Sequence, residues 1–140
     1  MALTQEQMER MEERFGQDTL LSLATCDETG PTVRHVNALF REDSFYVITW
    51  AKSGKMEQLA KNPACAVCGD WFTAKGVAEN LGWVGKNENQ PIMKQLREAF
   101  AAWYHNGHVD EENQDTILLR IRLTTGVLMD HGTRHDLIFE

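Results

Sequence analysis

Two periodicities alternate along this chain. Over its first turn-rich stretch, Met8, Met11 and Phe15 recur at helical spacing between charged residues. Thr4 and Gln7 form a capping-box pair ahead of them and Gly16 supplies a stop, which predicts an amphipathic helix within residues 1–17. From Thr19 the period changes. Thr19–Cys26 is rich in Leu, Thr and Ala, Asp27-Glu28-Thr29-Gly30 is a turn, and Thr32–Phe40 is a second strand. Arg41-Glu42-Asp43-Ser44 turns the chain into a third strand, Phe45–Trp50, so two successive hairpins predict an antiparallel meander.

Ser53–Lys61 reads as a short helix with Met56 and Leu59 on one side, ended by Asn62-Pro63. Ala64–Phe72 and Ala74–Val84 read as strands, with Gly76 and Gly82 as points of bulge or close backbone approach. Asn87–Pro91 opens a long helix over residues 88–106, in which Ile92, Leu96, Phe100 and Trp103 share helical spacing and Asn106-Gly107 marks the end. In Thr116–Leu123, Ile117, Leu119, Ile121 and Leu123 alternate with Leu118, Arg120 and Arg122, the pattern of a half-buried strand. Thr124-Thr125-Gly126 reads as a turn into a last strand, Val127–His131, and the segment after Gly132 is a tail placed to fold back onto a ligand. The class is mainly β with flanking helices, in one domain over residues 1–140, and antiparallel strands of this number close their edges into a barrel.

The chain has 140 residues and a net charge of −7, which argues against nucleic acid or an anionic membrane surface as the main partner. No apolar run is long enough to span a bilayer. Its opening residues are acidic and helical in pattern, unlike a signal peptide. With Cys26, Cys65 and Cys68 the thiol count is odd, which leads us to expect reduced cysteines and a cytoplasmic location.

The chemistry concentrates in residues 34–55. On the strand from Thr32, Arg34 shares a face with Val36, Ala38 and Phe40, and that face is otherwise apolar. A guanidinium on a core-facing edge needs an anion, either a carboxylate of the chain or a bound phosphate, which it grips with two parallel N–H donors. Ser53-Gly54-Lys55 opens the helix that follows the next strand. Its free amides, the Ser53 hydroxyl, the Lys55 charge and the close approach that Gly54 permits all suit a phosphate. If the hairpin pairs, Arg34, Ser53 and Lys55 converge on one phosphate.

The pattern Arg34-x-Val36, then Ile48-Thr-Trp-Ala-Lys-Ser-Gly-Lys55 and Gln58-Leu-Ala-Lys-Asn-Pro63, resembles the pyridoxamine 5'-phosphate oxidase-like superfamily, and within it the general stress protein-like branch. The likeness runs from about Thr19 to Asp130. It implies an antiparallel six-stranded split β-barrel, a homodimer with FMN at the subunit interface, and a flavin-dependent oxidoreductase acting on a small substrate. By the same resemblance Arg34, Ser53 and Lys55 hold the phosphate, with Gly54 between them in the cofactor-binding set, Val36 and Asn37 run along the flavin, and Ile48 and Thr49 face its ring or ribityl chain. The chain departs from the true oxidases at Leu39, where they carry lysine, at Gly54, where they carry arginine, and in lacking their substrate-phosphate residues. Two alternatives therefore stand beside the oxidoreductase: a non-catalytic flavin-binding or redox-sensing stress protein, and a split barrel that binds haem or a deazaflavin. His131 and His135 are the imidazoles considered for haem.

Other groups read more plainly. Cys65 and Cys68, three apart on a strand, point to opposite faces and are expected to be small buried thiols, not metal ligands. His105 and His108 belong to a solvated loop. His131-Gly132-Thr133-Arg134-His135 is a polar segment able to close over a ligand, and Trp71 suits either a subunit interface or stacking on a ring. No Ser/His/Asp triad, phosphate-binding P-loop or dinucleotide fingerprint is present.

Overall fold

Turn chemistry and strand alternation build most of the architecture, which a computed structural model describes for residues 3–140. The elements are α1 (Gln5–Phe15), β1 (Thr19–Asp27), β2 (Gly30–Arg41), β3 (Ser44–Trp50), α2 (Gly54–Lys61), β4 (Ala64–Gly69), β5 (Phe72–Trp83), α3 (Gln90–Ala99), β6 (Thr116–Asp130) and β7 (Thr133–Ile138). A 3₁₀ turn, Asn87–Asn89, leads into α3, and a wide turn at Tyr104–His108 follows it. The strands run antiparallel in the order β3-β2-β1-β4-β5-β6-β7. Pairing of β3 with β6 closes the first six into a barrel and leaves β7 on its outside, which confirms the expected six-stranded split barrel.

Closure sorts the apolar positions. Leu21 and Leu23 of β1, Val36, Ala38 and Phe40 of β2, and Ile121 of β6 fill the interior. Phe15 plugs one end, packing 4.8 Å from Phe72 and 5.8 Å from Phe45. Burying such a phenyl contributes about 1.5–3 kcal/mol. The helix that carries it starts as expected: the Thr4 side chain accepts from the Gln7 amide, Gln7 reciprocates, and Gly16 is the C-cap. A second core lies outside the barrel wall, where Met93 and Leu96 of α3 and Phe100, its C-cap, cover Leu39 and Leu118.

Several expectations are corrected. Residues 88–106 are not one helix: α3 ends at Ala99, and Gly107, with φ +98°, closes a wide turn instead. Leu118 is fully buried although it lies on the polar side of its strand's alternation, because α3 packs there. Thr124-Thr125-Gly126 is no turn. β6 runs through it unbroken, and Gly126 serves close approach: a Cβ there would lie 2.8 Å from the Thr73 carbonyl oxygen. The true turn of this region is at Asp70-Trp71, earlier than the Phe72 end expected for β4. Gly76 and Gly82 do sit at register shifts of the β5–β6 ladder, and Gly82 has φ +83°. The segment after Gly132 does not fold over a ligand site. It pairs with β6 as β7. Cys65 is buried and Cys68 is exposed, so only one of the two thiols is enclosed. Burial pushes the Cys65 thiol up to about 11.

Candidate functional site

Strands β2 and β3, the start of α2 and the turn after α3 enclose a cavity of about 420 Å³ on the outer side of the barrel. That volume is in the range of small-molecule and cofactor sites. Val36, Asn37, Ile48, Thr49 and Lys55 all line it, so most of the expected site residues are brought together. Arg34, Ser53 and Gly54 are not in its lining. They lie beyond it, at the end where Lys55 stands.

At that end two cations share one neighbourhood. Arg34 and Lys55 are both half-buried, and among the described residues neither has a carboxylate within 4.0 Å. The Arg34 guanidinium is held by neutral acceptors: Nη1 donates to the Leu23 carbonyl (3.0 Å), Thr25 Oγ1 (2.8 Å) and the Thr32 carbonyl (3.3 Å). Nη2 donates to Gln58 Oε1 at 3.5 Å. Gln58 in turn donates from Nε2 to Asp27 Oδ2 at 3.2 Å, so the nearest carboxylate meets the guanidinium only through this amide. A guanidinium has five N–H donors, and these contacts leave the Nε–H and one Nη2–H free. That pair is the fork geometry that takes two oxygens of one anion.

Among the described residues, Lys55 makes one polar side-chain contact, Nζ donating to Ser53 Oγ at 3.5 Å. Burial, and secondly the charge of Arg34, hold its ammonium below the usual lysine value. Burial likewise lowers Arg34. Ser53 is the N-cap of α2 but makes no side-chain cap bond, which leaves its hydroxyl available. At Gly54 a Cβ would meet nothing within 4 Å and φ is not left-handed, so the fold itself does not demand glycine there. The corner is thus over-supplied with positive charge and with free donors, an arrangement that a phosphate would neutralise.

The opposite wall was not legible in the sequence. Trp103 stacks on Phe100, with ring centroids 4.8 Å apart and planes 28° from parallel, and it lines the cavity. Its indole Nε1 donates to Asp18 Oδ2 at 2.8 Å, and Asn37 Nδ2 donates to Asp18 Oδ1 at 3.0 Å. Trp50, 53% exposed, His35, His108, Val109 and Asp110 complete the rim. Trp103 had a signal, as an amphipathic ring at the end of an apolar helical row; Asp18 had none. The turn bearing His108 and Val109 is anchored by Glu111, whose carboxylate pairs with Arg97 (2.9 and 3.0 Å) and accepts from the Tyr104 hydroxyl. The Glu111 backbone carbonyl accepts from Trp83 Nε1 at 2.8 Å.

His131 and Arg134 are elsewhere. His131 lines a separate hollow with Arg14, Trp71 and Asp130. Trp71 is 75% exposed, held at φ +54° in the β4–β5 turn.

A closed antiparallel barrel with a cationic corner and a cavity on its flank is a split barrel of the pyridoxamine 5'-phosphate oxidase-like class. The chain belongs to the pyridoxamine 5'-phosphate oxidase family, whose model matches residues 7–129. A comparison with curated proteins finds no match. Among solved structures it is similar to General Stress Protein 26 from Bacillus anthracis, at 16% identity and TM-score 0.67, covering 86% of this chain and 92% of that one. It is similar to a FAD-binding protein from Mesorhizobium loti, at 15% identity and TM-score 0.63, covering 90% and 94%. It is also similar to a haem-binding protein from Mycobacterium smegmatis, at 17% identity and TM-score 0.66, covering 87% and 53%. At these identities the likeness concerns the fold. No described helix is long and apolar enough to cross a membrane.

Proposed function

We propose that this chain binds FMN, with the phosphate on Arg34, Ser53, Gly54 and Lys55 and the ring system along Val36, Asn37, Ile48 and Thr49, and serves as a flavin-dependent oxidoreductase for a small substrate. The observation that carries the reading is the pair of half-buried cations without a carboxylate partner, set at one end of a cavity with a stacked indole wall. An adenine-free flavin with one phosphate fits a corner with one fork, one ammonium and one helix N-terminus. The FAD-binding relative supports a flavin in this fold.

When bound, the flavin supplies the hydride or electron transfer. The chain's residues bind and orient. Arg34 offers its free Nε–H and Nη2–H, Lys55 adds charge, and Ile48 keeps water from the ring. No side chain of the cavity is assigned as a general acid or base, and a non-catalytic flavin-binding role uses the same geometry.

The working unit we propose is a homodimer. The outer face of the sheet carries a mainly apolar hollow of about 550 Å³, bordered by Ala24, Val33, Ala66, Val127 and Ile138, with Lys75 and Asp136 also in its lining. Val33 and Ile138 are 66% and 58% exposed. A contiguous apolar face of this kind marks an interface, and a second copy is the occupant that the family resemblance implies.

A second reading is haem. His131 and His135 do not reach the cavity, but His35 and His108 line it, and one relative is a haem-binding protein. The absorption spectrum of purified protein, repeated after adding FMN and desalting, separates the readings. Flavin bands at one per chain support FMN, a Soret band supports haem, and colourless protein rejects both.

A further inference from the structure

We infer that Asp18 is a positioning residue: it fixes the side-chain amide of Asn37 so that the cavity presents a hydrogen-bond acceptor, and that acceptor reads the imide N–H of the flavin ring. This rests on the flavin reading above.

Asp18 stands between the end of α1 and the start of β1. Each of its oxygens is committed, Oδ1 to Asn37 Nδ2 at 3.0 Å and Oδ2 to Trp103 Nε1 at 2.8 Å. An ionised carboxylate only accepts, so the edge of Asn37 turned toward it is the NH₂. The other edge, Oδ1, accepts from no described residue, and Asn37 is a half-buried part of the cavity wall. A half-buried acceptor without a partner calls for a donor from the ligand or from water.

The unit cannot turn over by itself. An indole N–H only donates, so Trp103 holds Oδ2, and its ring is fixed by stacking on Phe100. The polarity therefore restricts what lies opposite. Asn37 and Lys55 line the same cavity, so a flavin whose phosphate is held at the Lys55 end carries its ring toward the amide. The oxidised isoalloxazine ring has one N–H, its imide. Its carbonyls and remaining ring nitrogens are acceptors and would face Asn37 Oδ1 unfavourably.

Asp18→Asn inverts this arrangement at constant volume. Its oxygen edge is taken by the Trp103 N–H, its NH₂ faces Asn37, and the Asn37 amide turns to put its own NH₂ into the cavity. The test is the dissociation constant of the full chain for FMN and for N3-methyl-FMN, with thermal melts alongside. Wild type is expected to bind FMN about tenfold tighter than the methylated analogue, the loss of one hydrogen bond. Asp18→Asn is expected to weaken FMN about tenfold and to narrow the ratio to within about threefold. Asn37→Leu, which removes the amide, is expected to narrow it too and stands in if Asp18→Asn does not fold. Mere structural damage would weaken both ligands alike and keep the ratio. A wild-type ratio near one with tight FMN binding, or a ratio kept in the variants, overturns this inference and leaves the flavin reading standing. Wild-type protein that holds neither ligand overturns both.

Discussion

Replacing Lys55 with methionine should strengthen the empty fold and weaken the cofactor. The lysine is half-buried, its one polar side-chain contact among the described residues is Ser53 Oγ at 3.5 Å, and its neighbour is another cation, Arg34. Its folded-state pKa is lowered, by burial first and by Arg34 second. A lysine whose folded pKa lies below the unfolded one binds its proton more weakly when folded. Its charge therefore opposes folding at every pH below the folded value, and the penalty fades as pH rises through the folded value toward the unfolded one. Methionine has similar length and no charge, so Lys55→Met removes it and the melting temperature of the FMN-free protein should stay equal or rise. Phosphate binding should move the other way. A hydrogen bond to a charged group contributes about 1.5–3 kcal/mol, so FMN affinity should fall roughly 10- to 150-fold. Differential scanning fluorimetry with and without FMN, and a fluorescence titration, read both signs. A variant that melts lower without FMN, or that keeps its FMN affinity, would refute the argument that this ammonium is held for an anion.

Other outcomes follow from the same structure. Arg34→Lys keeps the charge but loses the fork and the bonds to Leu23, Thr25 and Thr32; FMN affinity should fall about tenfold or more and stability by about 1–2 kcal/mol, read by titration and by urea unfolding. Arg97 holds the Glu111 carboxyl below the usual carboxylate value, so the clamp stabilises the fold above that value and is lost as pH falls through the lowered one. Wild type should lose stability on acidification, and Glu111→Gln should be less stable at neutral pH and show a flatter Tm profile from pH 6 downward. Gly126→Ala forces a Cβ to 2.8 Å from a backbone oxygen and should cost about 1–3 kcal/mol, whereas Gly54→Ala, with open space around its Cβ, should leave the FMN-free Tm unchanged or slightly higher.

Local chemistry made much of this protein legible. Capping at Thr4, the two hairpins through Gly30 and Ser44, and the glycine irregularities at Gly76 and Gly82 each depend on residues a few positions apart, so the chain declares them without its partners. The cationic corner was legible for the same reason. Arg34 stands on an otherwise apolar strand face, and Ser53-Gly54-Lys55 opens the next helix, so a single hairpin brings them together. Tertiary structure decided the rest. Gly126 looks like a turn residue until β5 passes across it, and then the same missing Cβ lets the strand continue. The last residues look like a tail until the free edge of β6 supplies hydrogen bonds for them. Leu118 and Leu39 look half-exposed until α3 lies over the barrel wall. Asp18 lies beside Asn37 through the β1–β2 hairpin, but Trp103, 85 residues after Asp18, reaches it only when the segment after α3 packs on the barrel wall. Hydrophobic period and turn type act between near neighbours, while closing β3 onto β6 sets contacts between distant residues, and Trp103 joins the site only when the segment after α3 packs on the barrel wall.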